Sequence, residues 1–69
     1  MTNTQKIKMA LAFINKSEAW LSKEIGSTPQ AFNQRMKTDK FKTAELDKIA
    51  KALGATYSSF FEFPDGTKI

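Results

Sequence analysis

Apolar residues recur three and four positions apart in separate stretches of the chain, which is the spacing of one helix face. In the first and last of these stretches the positions are Ile7, Ala10, Leu11 and Ile14, then Leu46, Ile49, Ala50 and Leu53. Two shorter stretches lie between them. The pattern predicts four helices at about residues 3–14, 18–25, 29–37 and 43–53.

Capping residues stand at the predicted boundaries. Thr2, Ser17 and Thr28 each precede a helix and can accept a hydrogen bond from its first turn. Pro29 suits the first position of the third helix, where its missing N–H is not needed. Gly26 ends the second helix, because glycine adopts the left-handed conformation without a Cβ clash. Only two residues therefore separate Gly26 from the start of the third helix at Pro29.

Two methionines and one alanine are also assigned to the interior. Met9 and Met36 are expected to fill the core, and Ala31 is expected to point the same way as Phe32.

Residues 56–69 have a different pattern. Phe61 and Phe63 alternate with a polar residue, and Pro64-Asp65-Gly66 is a strong turn signal. A short hairpin is predicted, and a single helical turn at residues 58–61 is the alternative. A small core cannot cover both faces of a hairpin, so this tail is the candidate dimer element. Its candidate contact residues are Phe61, Phe63 and Ile69.

Length and composition narrow the classes of function. The chain has 69 residues, which is enough for one domain, and its 11 basic and 7 acidic residues give a net charge of +4. It contains no cysteine and no histidine, which excludes zinc fingers, Cys–His nucleophilic sites and imidazole catalysis. No carboxylate pair faces a common cleft. We therefore expect no enzyme activity, no metal, no cofactor and no small-molecule ligand.

The remaining composition favours a basic cytoplasmic protein. No run approaches the ~20 apolar residues that a membrane span needs, so no membrane association is expected. The sequence pI of about 9.6 is what a small nucleic-acid-binding domain shows.

The joint between the second and third helices carries the functional signal. A short helix, a glycine, two residues and a newly capped helix force a sharp crossing. Leu21, Ile25 and Phe32 supply the apolar contact that fixes the angle around Gly26, and Ser22 permits close approach. This is the layout of a helix-turn-helix, whose second helix can enter the major groove of DNA.

The order of these elements resembles the Cro and phage-repressor class of DNA-binding domains. The stretches that carry the resemblance are residues 21–28, LSKEIGST, and 46–54, LDKIAKALG. It spans about Ile7 to Phe61. It implies a mainly α-helical, lambda-repressor-like bundle of four helices with a C-terminal hairpin or fifth helical turn. It also implies a single helix-turn-helix domain over residues 1–69 that binds double-stranded DNA as a homodimer.

The resemblance assigns roles to positions of the third helix and the loop after it. Gln30, Asn33 and Gln34 occupy the base-reading positions, and an amide matches the N6/N7 donor–acceptor pair of adenine. The candidate phosphate contacts are Thr28, Lys37, Lys40 and Lys42. The exposed amides at the start of the third helix are expected to attract a phosphate as well. Glu18 stands where the class often has a glutamine that touches phosphate, so no phosphate contact is assigned to it.

The predicted function is a small dimeric repressor that occludes a promoter. The alternative is a protein-interaction module of the same fold, such as an antitoxin, an anti-repressor or an inhibitor from a mobile element. In that case the aromatic tail would be the partner surface. A general RNA-binding role is a weaker third option, because no exposed aromatic residues are expected on a sheet face.

Overall fold

The computed structural model describes all 69 residues, which form four helices followed by a small antiparallel sheet. The elements are α1 (Asn3–Ile14), α2 (Glu18–Glu24), α3 (Pro29–Thr38), α4 (Thr43–Leu53), β1 (Thr56–Tyr57) and β2 (Phe61–Glu62). The four predicted helices are confirmed, with boundaries that differ by at most one residue. None of them has the length and apolar composition needed to cross a lipid bilayer.

The helices begin at the residues that the sequence marks as caps. The Thr2 hydroxyl accepts from the Gln5 amide at 3.1 Å, and the Gln5 side chain accepts from the Thr2 amide at 2.9 Å. Ser17 and Thr28 accept from the third residue of their own helices in the same way. Local hydrogen bonding therefore sets where α1, α2 and α3 start.

A left-handed residue stands at the end of every helix. Asn15, Gly26, Asp39 and Gly54 have φ of 59°, 72°, 55° and 75°. At the ends of α1, α2 and α4 the next amide reaches back five residues, as when Ser27 N donates to Ser22 O at 2.8 Å. This closing pattern satisfies carbonyls that the helix leaves free and turns the chain sharply.

The core is one cluster drawn from every helix and from the chain that follows α4. Its members are Ile7, Ala10, Leu11, Leu21, Phe32, Met36, Leu46, Ile49, Ala50, Leu53, Phe61 and Phe63. Ser22 is the single buried polar residue. Met36 is in this core as predicted.

Two predicted interior positions are wrong. Met9 is 46% exposed, because it lies on the side of α1 opposite the stripe that contains Ile7 and Leu11. Ala31 is also exposed. On α3 the positions one turn apart, Phe32 and Met36, fill the interior, and Ala31 lies on the flank of the helix.

The C-terminal residues form a hairpin, and no helical turn is present at residues 58–61. β1 pairs antiparallel with β2, with Tyr57 opposite Phe61. After a second turn at residues 64–66 the chain returns along β2, where Phe61 and Ile69 exchange backbone hydrogen bonds of 2.7 and 2.9 Å. The turn predicted at Pro64-Asp65-Gly66 is confirmed, and the pairing of β1 was not foreseen.

The aromatic side chains Phe61 and Phe63 of the hairpin are buried. Phe61 and Phe63 are 0% and 5% exposed, which contradicts the expectation that they are available for a dimer contact. The short strands lie against the helices, so their inward side chains complete the core. Phe63 packs edge-on against Phe13 of α1, with the ring centres 4.7 Å apart.

Candidate nucleic-acid interface

Helix α3 presents a continuous polar face to solvent. Gln30, Asn33, Gln34 and Lys37 lie within two turns on one side of it, and all four are exposed. The side-chain amides of Gln30, Asn33 and Gln34 make no hydrogen bond within the chain. The three residues predicted to read bases are thus brought together, and their donors and acceptors are free.

The opposite side of α3 explains this orientation. Phe32 and Met36 are 2% and 6% exposed and hold the helix to the core. Phe32 meets the α2 side of the joint, where Leu21 and Ser22 are also buried. Of the residues predicted to form the helix-turn-helix core, Leu21 and Phe32 are buried in one cluster and Ile25 is partly buried against it, whereas Gly26 is exposed at the turn.

The turn at Gly26 fixes how α3 leaves α2. Gly26 has a φ of 72°, and no atom outside its immediate neighbours lies within 4 Å of the position a Cβ would take. Its requirement for glycine is therefore conformational and does not come from crowding. The backbone bonds from Gly26 N to Lys23 O and from Ser27 N to Ser22 O hold the bend.

The start of α3 offers fewer free amides than expected. Thr28 Oγ1 accepts from Ala31 N at 3.1 Å, and Thr28 O accepts from Phe32 N at 3.0 Å. Pro29 has no N–H, so Gln30 N is the one amide left in the first turn. The Thr28 hydroxyl hydrogen remains available to donate, which suits the phosphate role predicted for that residue.

A set of unpaired lysines follows the polar face. Lys37, Lys40 and Lys42 are exposed, and none forms an ion pair. They occupy the end of α3 and the loop that leads to α4. Of the predicted phosphate-contacting lysines, Lys37 therefore lies in the last turn of the helix that carries the side-chain amides, and Lys40 and Lys42 lie in the loop after it.

The charged residues next to these lysines form contacts with other helices of the fold. Arg35 forms an ion pair with Glu45, which ties α3 to α4. Asp39 Oδ1 accepts from Thr4 N at 2.8 Å, and the Thr4 hydroxyl lies 3.0 Å from the same oxygen. Asp39 is left-handed, with a φ of 55°. The one acidic residue among the lysines is thus bound to the start of α1.

These two contacts were missed by sequence reasoning. Thr4 and Asp39 are 35 residues apart, and no local pattern relates them. The Arg35–Glu45 pair was equally hidden, because it joins two different helices. The one feature of the sequence that could have indicated these contacts is the presence of polar residues at the ends of the helices.

The C-terminal tail carries a turn closed by Asp65 and a short free strand edge. Asp65 Oδ1 accepts from Thr67 N at 2.8 Å, and this hydrogen bond lowers the pKa of the Asp65 carboxyl. Ile69 is partly buried, and Lys68 makes no backbone hydrogen bond, so residues 67–69 form a short free sheet edge. The exposed large apolar side chains lie elsewhere, at Met1 and at Met9 and Phe13 of α1.

No three carboxylates lie together in a way that could hold a metal ion. Neither a protein-family model, nor a curated protein, nor a solved structure matches the chain. The polar face of α3 and the lysines beside it form the candidate functional surface of the chain.

Proposed function

We propose that the chain is a sequence-specific DNA-binding protein that places α3 in the major groove. The observation that carries the proposal is the exposed row of Gln30, Asn33 and Gln34, held outward by the packed joint behind it. A major groove about 12 Å wide admits one helix with its side chains. The amide groups are free to pair with base edges without first breaking a bond inside the protein.

The lysines give this face its affinity. Lys37, Lys40 and Lys42 are exposed at the end of α3 and in the loop after it, and they would contact the sugar-phosphate backbone with α3 in the groove. Phosphate contacts of this kind position a protein on DNA without reading its sequence. The residues that would select bases and the residues that would attract DNA phosphates thus lie on adjoining parts of one surface.

The fold proposed for this activity is the lambda-repressor-like bundle of the Cro class. Four helices with a tight second-to-third joint support it, as does the added C-terminal hairpin. The chain would act as a homodimer that represses by occluding a promoter. The longest dimension of one chain is 32 Å, so a pair is large enough to place two α3 helices the ~34 Å apart that successive major grooves require.

The interface between copies needs a different location from the one first expected. Phe61 and Phe63 are interior residues, so Ile69 is the remaining candidate in the tail. The edge formed by residues 67–69 is short, and a strand edge of this kind can pair with a second copy.

A selection from random duplex DNA tests the proposal. The wild-type chain is expected to enrich a pseudo-palindromic site. Gln34→Ala should lose preference at particular positions, whereas Lys40→Ala should weaken binding to all sequences alike. If the wild-type chain enriches no sequence, the proposal is wrong.

A second candidate function is supported by one observation. Met9 and Phe13 are 46% and 47% exposed and lie one turn apart on α1, which favours a protein-binding surface. A salt series distinguishes the two functions, because binding to phosphates weakens steeply as salt rises. Retention on non-specific DNA that does not change with salt would favour the protein-interaction module.

A further inference from the structure

The C-terminal end of α3 is closed differently from the other helix ends. After the left-handed residue of α1, α2 and α4, the next amide donates back to a carbonyl of its own helix. The corresponding amide after α3 is Lys40 N, which donates to no backbone carbonyl. The backbone of α3 therefore does not itself fix the direction in which the loop with Lys40 and Lys42 leaves the helix.

The start of α1 supplies the missing closure. Thr4 N donates to Asp39 Oδ1 at 2.8 Å, and the Thr4 hydroxyl lies 2.8 Å from Met36 O and 3.0 Å from Asp39 Oδ1. Thr4 N belongs to the first turn of α1 and Met36 O to the last turn of α3, where backbone groups have no partner within their own helix. These part-buried contacts between Thr4, Met36 and Asp39 form the α1–α3 clamp.

The α1–α3 clamp lies among the candidate phosphate-binding lysines. Asp39 directly precedes Lys40, and Lys37 lies in the turn before it. We propose that Thr4 and Asp39 are positioning residues for DNA binding, which hold Lys40 and the loop after it in the orientation that contacts phosphates. This inference rests on the proposed function, since the orientation of these lysines affects binding only if α3 docks on DNA.

Charge and positioning predict opposite effects for the loss of Asp39. A carboxylate beside lysines opposes the attraction of phosphates, so charge alone predicts that its removal strengthens DNA binding. Positioning predicts weaker binding, because a loop released from α1 must be ordered when it meets DNA, and that ordering costs conformational entropy. The sign of the effect therefore distinguishes the two roles.

Two substitutions of Asp39 separate the clamp from the charge. Asp39→Asn and Asp39→Gly remove the same negative charge, and both residues accept the φ of 55° at this position. Asparagine keeps a side-chain oxygen that can accept from Thr4 N, whereas glycine has no side-chain acceptor. The difference in binding between these two variants thus measures the clamp at equal net charge.

Substitutions of Thr4 test the clamp from its other side. Thr4→Val removes the hydroxyl without changing any charge or the loop itself, and Thr4→Ser keeps the hydroxyl. Thr2→Val is the matched control, because the Thr2 hydroxyl accepts from Gln5 N at 3.1 Å at the start of the same helix. Its loss removes a helix cap and lowers stability without touching the clamp.

The dissociation constant is measured by fluorescence anisotropy across a salt series, on the selected duplex and at a temperature where every variant is folded. Asp39→Gly should bind about threefold to tenfold more weakly than Asp39→Asn, with a salt slope lower by up to about 0.9, the value of one phosphate contact. Thr4→Val should bind about threefold more weakly than wild type, also with a lower slope. Thr4→Ser and Thr2→Val should match wild type.

A double variant shows whether the clamp acts through Lys40. Residues that act through one contact give effects that do not add. Thr4→Val should therefore lower the salt slope in the wild-type chain but cause no further loss in the Lys40→Ala chain. A role of Thr4 in stability alone would leave the slope unchanged in both.

The outcomes separate this inference from the proposed function. Equal binding by Asp39→Gly and Asp39→Asn overturns the positioning role and leaves DNA binding intact. A Thr4→Val chain that binds like Thr2→Val also overturns it, because the weaker binding of the glycine variant then comes from its backbone freedom. A wild-type chain that selects no sequence overturns both proposals.

Discussion

The salt dependence of DNA binding should fall by a defined amount when one lysine of the α3 face is removed. Lys40 is exposed and unpaired in the loop after α3. Each phosphate contact contributes about 0.9 to the slope of log binding constant against log salt. Lys37, Lys40 and Lys42 together therefore supply a slope of about 2.7 per chain.

This slope converts directly into affinity. Raising salt from 50 to 200 mM should weaken binding about 40-fold through the three lysines, and about 3.5-fold through Lys40 alone. Lys40→Ala should lower the slope by about 0.9 and leave base preference unchanged. Fluorescence anisotropy across a salt series, on the selected duplex and on duplexes with single base-pair changes, measures both quantities.

Lys51→Ala is the matched control for Lys40→Ala. It also removes one positive charge, but Lys51 is exposed in the last turn of α4 and belongs neither to the α3 face nor to the edge at residues 67–69. Its slope should equal that of wild type. Equal slopes for Lys40→Ala and Lys51→Ala would refute the placement of the phosphate backbone along the loop.

Four further predictions concern the framework that holds the site. Gly26→Ala should lower the free energy of unfolding by about 1–2 kcal/mol because of its positive φ, and a denaturant titration that shows no loss would contradict this. Asp39→Ala should lower the free energy of unfolding by about 1–3 kcal/mol in the same assay, since it leaves the part-buried Thr4 amide without its acceptor. An unchanged unfolding midpoint would show that the Thr4–Asp39 contact does not stabilise the fold. Phe63→Ala should cost about 3–5 kcal/mol as a core substitution, whereas a stably folded monomer in sedimentation would restore its role as a dimer contact. Because the pKa of Asp65 is lowered, its stabilisation of the turn is present above the ordinary carboxyl pKa of about 3.9 and is lost as the pH falls through the lower folded value; an NMR titration with an ordinary midpoint would contradict this.

The helices and the candidate face could be predicted because their causes are local. Caps such as Thr28 bond to residues of their own helix, and the positive φ of Gly26 follows from its missing Cβ. Once Phe32 and Met36 are placed inside, the helical period puts Gln30 and Gln34 outside.

The contacts that could not be predicted join distant parts of the chain. The Thr4–Asp39 bond and the Arg35–Glu45 pair depend on how helices cross, which no local pattern specifies. The burial of Phe63 depends on the hairpin folding back onto α1. An alternating pattern shows that one side of a strand is apolar, but it does not show whether that side meets its own core or another chain.

NMR titration of the isotopically labelled chain with duplex DNA at low salt tests the central claim most directly. The largest shifts should be those of the side-chain amides of Gln30, Asn33 and Gln34, together with the backbone of residues 37–42. Residues 56–69 should change little. Shifts concentrated around Met9 and Phe13, with α3 unchanged, would contradict the account.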